Sequence, residues 1–158
     1  MGQGAYIFAP AGPDLTPEEA AFFRDADPWG FIVFQRNCET PDQLRRLTSR
    51  LRGAVGRNAP VLIDQEGGRV QRMRAPHWKE WMPPLDQAAL FSDQGDTEKM
   101  RRAMYLRGRL IGAELMAAGE SNYRPFLRVR ARLEGSTDGL STPVFSGWST
   151  EFHCIPFE

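Results

Sequence analysis

Apolar positions along the chain fall into short blocks, separated by stretches whose spacing is helical. Residues 5–10 (AYIFAP) form a brief apolar run closed by Pro10, Gly12 and Pro13, which predicts a strand. TPEEAAFFRDAD follows, with Thr16 as helix cap, Pro17 in the first turn and Glu19 completing a capping box. Residues 30–34 (GFIVF) are continuously apolar, the pattern of a strand covered on both faces. The grammar then repeats: Thr40 caps, Pro41 opens, Gln43 closes the box, and Leu44, Leu47, Leu51 and Val55 make one apolar stripe stopped by Gly56. Residues 60–63 read as a third strand. After a Pro- and Trp-rich loop at 76–84 comes a long helix over 97–118, its inner side lined by Met100, Ala103, Met104, Ile111 and Leu115 and its end set by Gly119.

Strand, helix, strand, helix, strand, loop, helix is a βα repeat, and it implies an α/β fold with parallel strands and crossover helices. From residue 120 onward the texture changes. Four arginines fall within residues 124–132, no helical stripe is visible, and strand alternation hardly extends beyond 126–129. The division expected is therefore 1–119 as one α/β region and 120–158 as a different stretch.

Composition adds exclusions. With 20 basic and 20 acidic residues in 158, the net charge is zero, so no global field favours nucleic acid or an anionic membrane. No apolar run approaches the roughly 18 residues needed to cross a bilayer, and the start, MGQGAYIFAPAG, lacks the basic region of a signal peptide. Tyr6 stands where a myristoylation signal wants Ser or Thr. Cys38 and Cys154 have no metal-ligand spacing and read as reduced thiols of a cytoplasmic protein; no metal site is expected.

Chemistry concentrates in VLIDQEGGRVQRM, residues 61–73. Asp64 sits where the third strand ends, the side of an α/β sheet on which ligands meet the strands. Residues two apart on a strand face the same way, so Asp64 and Glu66 are expected to project together. They read as an acid/base pair, as a clamp for sugar hydroxyls, or as structural ion-pair partners of Arg69 and Arg72. Gly67 and Gly68 permit unusual backbone angles and the close approach of a ligand or of another part of the chain. A phosphate loop is disfavoured, because GxxxxGK[ST] and GxGxxG are both absent and the acids would repel the anion.

DPWGFIVFQRNCETPDQLRRLTSRLR followed by APVLIDQEGGRVQRMRAPHW closely resembles the family 3 glycoside hydrolases. Within that family it resembles the bacterial cytoplasmic β-N-acetylglucosaminidases (β-hexosaminidases) of cell-wall recycling. The likeness runs from Ala5 to about Gly119. It implies the N-terminal portion of a (β/α)₈ TIM barrel, cut after three to four β/α units, since such barrels need about 250 residues. It further implies a retaining glycosidase that removes terminal N-acetylglucosamine from peptidoglycan (murein) fragments and uses no cofactor. The resemblance assigns substrate binding to Asp64 and Arg72. Glu66, Arg69, Gly67 and Gly68 are assigned to orienting the loop that carries them.

Other family parts have no counterpart. The resemblance expects a nucleophilic Asp from a late strand and an acid/base His on a KH-x-PGHG-like loop, whereas the only histidines here are His77 and His153. Ser92-Asp93 echoes the nucleophile motif but precedes the long helix, so it is set aside. His77 with Trp78 is read as loop packing, and the four tryptophans as core or loop anchors. SNYRPFLRV echoes the family's fourth strand through Pro125, Leu127 and Val129, with Arg128 where Asp is expected, and Pro143 stands where a substrate-binding Arg belongs. The expected function is thus a fragment of a β-N-acetylglucosaminidase that grips sugar without cleaving it. The alternatives are a non-catalytic sugar-binding module and one half of a split enzyme. Exposed barrel edges predict self-association.

Overall fold

The computed structural model describes residues 4–92 and 96–119. In chain order the elements are β1 (Gly4–Phe8), α1 (Pro17–Ala26), β2 (Pro28–Val33), a 3₁₀ turn (Gln35–Asn37), α2 (Pro41–Val55), β3 (Val61–Ile63), β4 (Gln65–Gly67), β5 (Val70–Gln71), α3 (Pro84–Ser92) and α4 (Thr97–Ala118). Strands β1, β2 and β3 form one parallel sheet in that order, with Phe8 beside Phe31 and Phe31 beside Val61. Helices α1 and α2 are the crossovers, so the βα repeat read from the sequence is an observed mixed α/β layer.

Local chemistry accounts for the helix boundaries. Thr16 Oγ1 accepts from the Glu19 amide at 3.2 Å, and Glu19 Oε2 accepts from the Thr16 amide at 3.3 Å. Glu19 Oε1 also takes the Ala11 amide at 2.8 Å, which ties the approach loop to the helix. At α2, Thr40 caps as expected, but Gln43 does not close the box on the cap residue. Its Oε1 accepts from the Glu39 amide at 2.9 Å, and its Nε2 donates to the carbonyls of Asn37 (3.0 Å) and Pro13. A glutamine is long enough to reach past its own cap, and here the reach joins the β1–α1 and β2–α2 connections to the start of α2.

The core lies between the sheet and the helices: Phe23, Phe31, Val33, Leu44, Leu47, Leu51, Met73, Ile111 and Leu115 are all buried. Phe23 meets Phe31 edge-on at 5.1 Å. In α4, Met100, Ile111 and Leu115 are buried, whereas Ala103 and Met104 are only partly covered. Arg107 fills the position on the buried stripe that the apolar reading passed over. Among the tryptophans, Trp78 joins the core, Trp81 is half-buried, and Trp29 is exposed, so anchoring does not extend to Trp29. Trp148 and the whole of 120–158 lie outside the described residues, as do Asp93 and the Arg128 and Pro143 departures. No described helix is long and apolar enough to cross a membrane.

Two elements have no counterpart in the periodicity. Residues 65–71 form an antiparallel hairpin, β4–β5, and residues 84–92 form α3.

Candidate functional site

Because β1, β2 and β3 are parallel, their carboxyl ends share one edge of the sheet. Phe34 and Asp64 directly follow β2 and β3, and Pro10 follows β1 by two residues. These ends are stitched together by side chains. Asn37 Nδ2 donates to the carbonyls of Pro10 (3.0 Å) and Gly12 (2.7 Å), while Asn37 Oδ1 accepts from the Phe34 amide at 2.8 Å. Arg36 Nη2 reaches the same Pro10 carbonyl at 3.2 Å. With Asn37 fully buried, this network fixes the strand ends with its polar atoms satisfied.

Arg72 and Asp64 meet at this edge, Nη2 donating to Oδ2 at 2.9 Å. The Arg72 guanidinium lies 5.8 Å from the centre of the Phe34 ring, and that of Arg36 lies 4.9 Å from it. Two cations over one ring gain attraction from its face. Arg72 and Asp64 retain 25% and 42% side-chain exposure, so a ligand can reach both. A pair this exposed contributes at most about 1 kcal/mol to folding, so stability gives little reason for its geometry. Asp64 Oδ1 carries no hydrogen bond among the described residues and is open to accept one.

The structure thus brings two of the sequence-predicted residues, Asp64 and Arg72, into contact. It treats the others differently. Glu66 and Arg69 are exposed, and their side chains make no hydrogen bond or ion pair among the described residues. The orienting work expected of them is done elsewhere. The Glu66 backbone carbonyl accepts from Arg107 Nη2, which also donates to the Met82 carbonyl at 2.6 Å, while Arg107 Nη1 donates to Gln87 Oε1. Arg107 is 3% exposed, and burial holds its pKa below the ordinary guanidinium value. Arg74 Nη2 holds the Gly68 carbonyl at 2.7 Å and its Nη1 pairs with Glu80 at 2.9 Å.

The glycines are needed by the chain itself. Gly67 has φ +107° and Gly68 φ +61°. A Cβ on Gly67 would stand 2.2 Å from Arg107 Nη2 and 2.6 Å from the Met82 carbonyl oxygen, and one on Gly68 would stand 2.7 Å from Pro83.

Sequence reasoning missed Gln65 and Gln71, both fully buried. Gln65 Oε1 accepts from the amides of Arg72 (2.9 Å) and Met73 (3.0 Å), and its Nε2 donates to the Met73 carbonyl at 3.0 Å. Gln71 Nε2 donates to the carbonyls of Met73 and Lys79, and its Oε1 accepts from the Trp81 amide at 3.0 Å. Phe34, Arg36 and Asn37 were also missed. The rule that picked out Asp64, its place at a strand's carboxyl end, applies equally to the residues after β2 and would have found them. His77 is exposed, its ring edge-on to Trp78 at 6.0 Å, far from any role the sequence supports. Among the described residues no cluster of His, Cys, Asp and Glu could hold a metal.

This is a mixed α/β layer with an acid–arginine pair at the carboxyl ends of its strands, and comparison with known proteins identifies its kin as glycosidases. No family model matches the chain. It is nonetheless homologous to part of the bacterial β-hexosaminidases. The β-hexosaminidase of Pseudomonas aeruginosa is 40% identical over 126 residues, which is 79% of this chain and 35% of that protein. Among solved structures, NagZ from Neisseria gonorrhoeae in complex with N-trifluoroacetyl-D-glucosamine superposes with a TM-score of 0.66 at 28% identity, covering 74% of this chain and 34% of that one. A glycoside hydrolase family 3 β-N-acetylglucosaminidase from Paenibacillus gives 0.54 at 25% identity, covering 71% and 20%. The chain spans about a third of the length of the curated relatives it matches.

Proposed function

We propose that the chain carries part of the sugar-binding site of a family 3 β-N-acetylglucosaminidase, with Asp64 and Arg72 as the residues that touch the sugar. The fold behind it is the N-terminal portion of a (β/α)₈ barrel, which accounts for a parallel sheet whose functional residues gather at one end. The observation that carries this reading is the solvent-accessible Asp64–Arg72 pair at the carboxyl ends of the strands, in a fold similar to a NagZ solved with an N-acetylglucosamine analogue. The Asp64 carboxylate accepts hydrogen bonds from sugar hydroxyls through Oδ1 while Arg72 holds Oδ2, and charge-assisted hydrogen bonds of this kind are about twice as strong as neutral ones. Arg72, a quarter of whose side chain is exposed, in turn offers guanidinium N–H groups other than its buried Nε–H to the substrate.

The natural substrate class is N-acetylglucosamine-containing murein fragments, handled in the cytoplasm by a retaining route without a cofactor. That route needs a nucleophile and a proton donor on opposite sides of the anomeric carbon. Among the described residues no nucleophile or proton donor is assigned beside Asp64, and His77 packs against Trp78. The 158 residues assayed by themselves therefore bind sugar without turning it over, and they self-associate through the sheet edges.

Calorimetry on the purified chain with N-acetylglucosamine tests the binding. Heat of binding is expected for the wild-type chain and none for Asp64→Ala; the absence of heat from wild-type protein would remove the sugar-site reading. A chromogenic N-acetylglucosaminide tests catalysis. No release above the blank is expected, and turnover abolished by Asp64→Ala would show that the described region is catalytic after all.

A further inference from the structure

We propose that Gln65 is the positioning residue of this site: its buried carboxamide sets the Arg72 guanidinium against the Asp64 carboxylate. The inference rests on the reading of Asp64 and Arg72 as sugar ligands and adds the part that shapes them. Asp64 and Arg72 are eight residues apart, at the open end of the β4–β5 hairpin. The ladder pairs Gly67 with Val70 and Gln65 with Gln71, with an irregularity between the two rungs. Beyond the Gln65–Gln71 pair no further backbone rung joins the strands, so the ladder itself does not fix the Arg72 main chain relative to Asp64.

The Gln65 side chain supplies the missing rung. Its Oε1 takes the amide protons of Arg72 and Met73 together, at 2.9 and 3.0 Å, and its Nε2 returns a hydrogen bond to the Met73 carbonyl at 3.0 Å. Both polar atoms of the carboxamide are thereby used, and Gln65 is fully buried. A buried network in which both carboxamide atoms are engaged favours one arrangement, because moving the side chain leaves the Arg72 and Met73 amides unpaired in a low-dielectric interior. Gln65 is covalently next to Asp64 and clamps the backbone of Arg72, so one side chain fixes both partners of the 2.9 Å pair. Gln71 braces the same Met73 carbonyl from the other strand at 2.8 Å. An apolar residue would fill the space but leave the Arg72 and Met73 amides without this acceptor. A glutamine there is explained by the geometry it imposes on the two residues beside it.

The test measures N-acetylglucosamine binding by calorimetry for wild type, Gln65→Leu and Gln65→Asn, with melting temperatures recorded in parallel. Gln65→Asn keeps a buried amide but is one methylene too short to reach the Arg72 and Met73 amides, and it decides the matter if Gln65→Leu fails to fold. Affinity is expected to fall roughly tenfold to a hundredfold in protein that circular dichroism shows to be folded at the binding temperature. The discriminating readout is the coupling between Asp64→Asn and Arg72→Met in a double-mutant cycle on binding, measured with and without Gln65. A positioning role predicts that the coupling collapses to near zero when Gln65 is replaced. A merely structural role lowers the melting temperature and leaves the coupling intact. Wild-type affinity or undiminished coupling in a folded Gln65 variant overturns the inference alone. Failure of wild-type protein to bind, or binding unaffected by Asp64→Ala, instead removes the sugar-site reading on which it stands.

Discussion

Burial shifts two side chains of opposite chemistry toward their neutral forms, the Cys38 thiol and the Arg107 guanidinium. Cys38 sits just past the 3₁₀ turn, with Sγ donating to the Phe34 carbonyl at 3.3 Å, and burial pushes its pKa up from 9.0 to about 12. The consequence for reactivity is calculable. Such a rise cuts the thiolate fraction about a thousandfold at neutral pH, and the greater intrinsic nucleophilicity of the more basic thiolate returns roughly twentyfold of it. In a Cys154→Ser background Cys38 is therefore expected to react with iodoacetamide about fiftyfold more slowly than a free cysteine at pH 8; a rate equal to that of the free amino acid would contradict the burial. Stability follows with a definite sign. The folded pKa lies above the unfolded one, so the contribution is whole below pH 9 and is lost as pH rises toward about 12. Denaturant titrations should show that loss, on the order of 3–4 kcal/mol at most, and Cys38→Ala should remove it.

At the scale of elements, the hairpin that carries Asp64 and Arg72 is held less by its ladder than by what reaches it from elsewhere. Arg107 arrives from α4, 41 residues away from Glu66, and lays its guanidinium 5.5 Å from the Trp81 ring. Arg107→Lys is expected to destabilise the fold by roughly 3 kcal/mol, because one ammonium cannot span the Glu66, Met82 and Gln87 oxygens that the planar fork serves together. Gly67→Ala should cost roughly 2–4 kcal/mol, since the new methyl overlaps Arg107 and the Met82 carbonyl at a backbone angle disfavoured for alanine. Chemical denaturation measures both, and a change under 1 kcal/mol in Gly67→Ala would mean that the loop is free to move aside. These contacts also explain what could be read in advance. Helices α1 and α2 were legible because Thr16, Glu19 and Thr40 declare their starts locally, and Leu44, Leu47 and Leu51 repeat at helical spacing. The hairpin was illegible because β4 has three residues and β5 two, too few for any period, and because glutamine amides and a distant arginine do the holding. Asp64 could be read from its place at a strand's end. Gln65 and Arg107 could not, since nothing local in the sequence distinguishes a polar side chain buried with partners from one left in water.

At the scale of the molecule, the described sheet has two edges. Among the described residues, β1 and β3 each pair only with β2, so each leaves one row of backbone donors and acceptors without a strand partner. The β1 side is also apolar. Tyr6 and Ile7 are about half exposed, Phe22 of α1 is 54% exposed, and Tyr6, Phe8 and Phe22 form a run of rings 5.5 and 5.3 Å apart. An edge strand flanked by exposed rings offers both hydrogen bonds and apolar area to a second copy, whereas natural edges are commonly blunted by lysine, proline or a bulge. The register shift between Gly4 and Ile7 is one such irregularity, but it leaves Phe8 in step with Phe31 and the far end of the edge regular. Sedimentation velocity is therefore expected to show the average mass rising between about 5 and about 100 µM, the range in which exposed edges drive association. Ile7→Lys places a charge on that edge without touching the buried face, and it should shift the rise to higher concentration while leaving the melting temperature within a few degrees. Association through β1 fails as an account if the wild-type chain stays monomeric throughout, or if Ile7→Lys associates as readily as its parent. In the second case β3, which ends beside Asp64, becomes the edge that pairs, and sugar binding would then weaken as protein concentration rises.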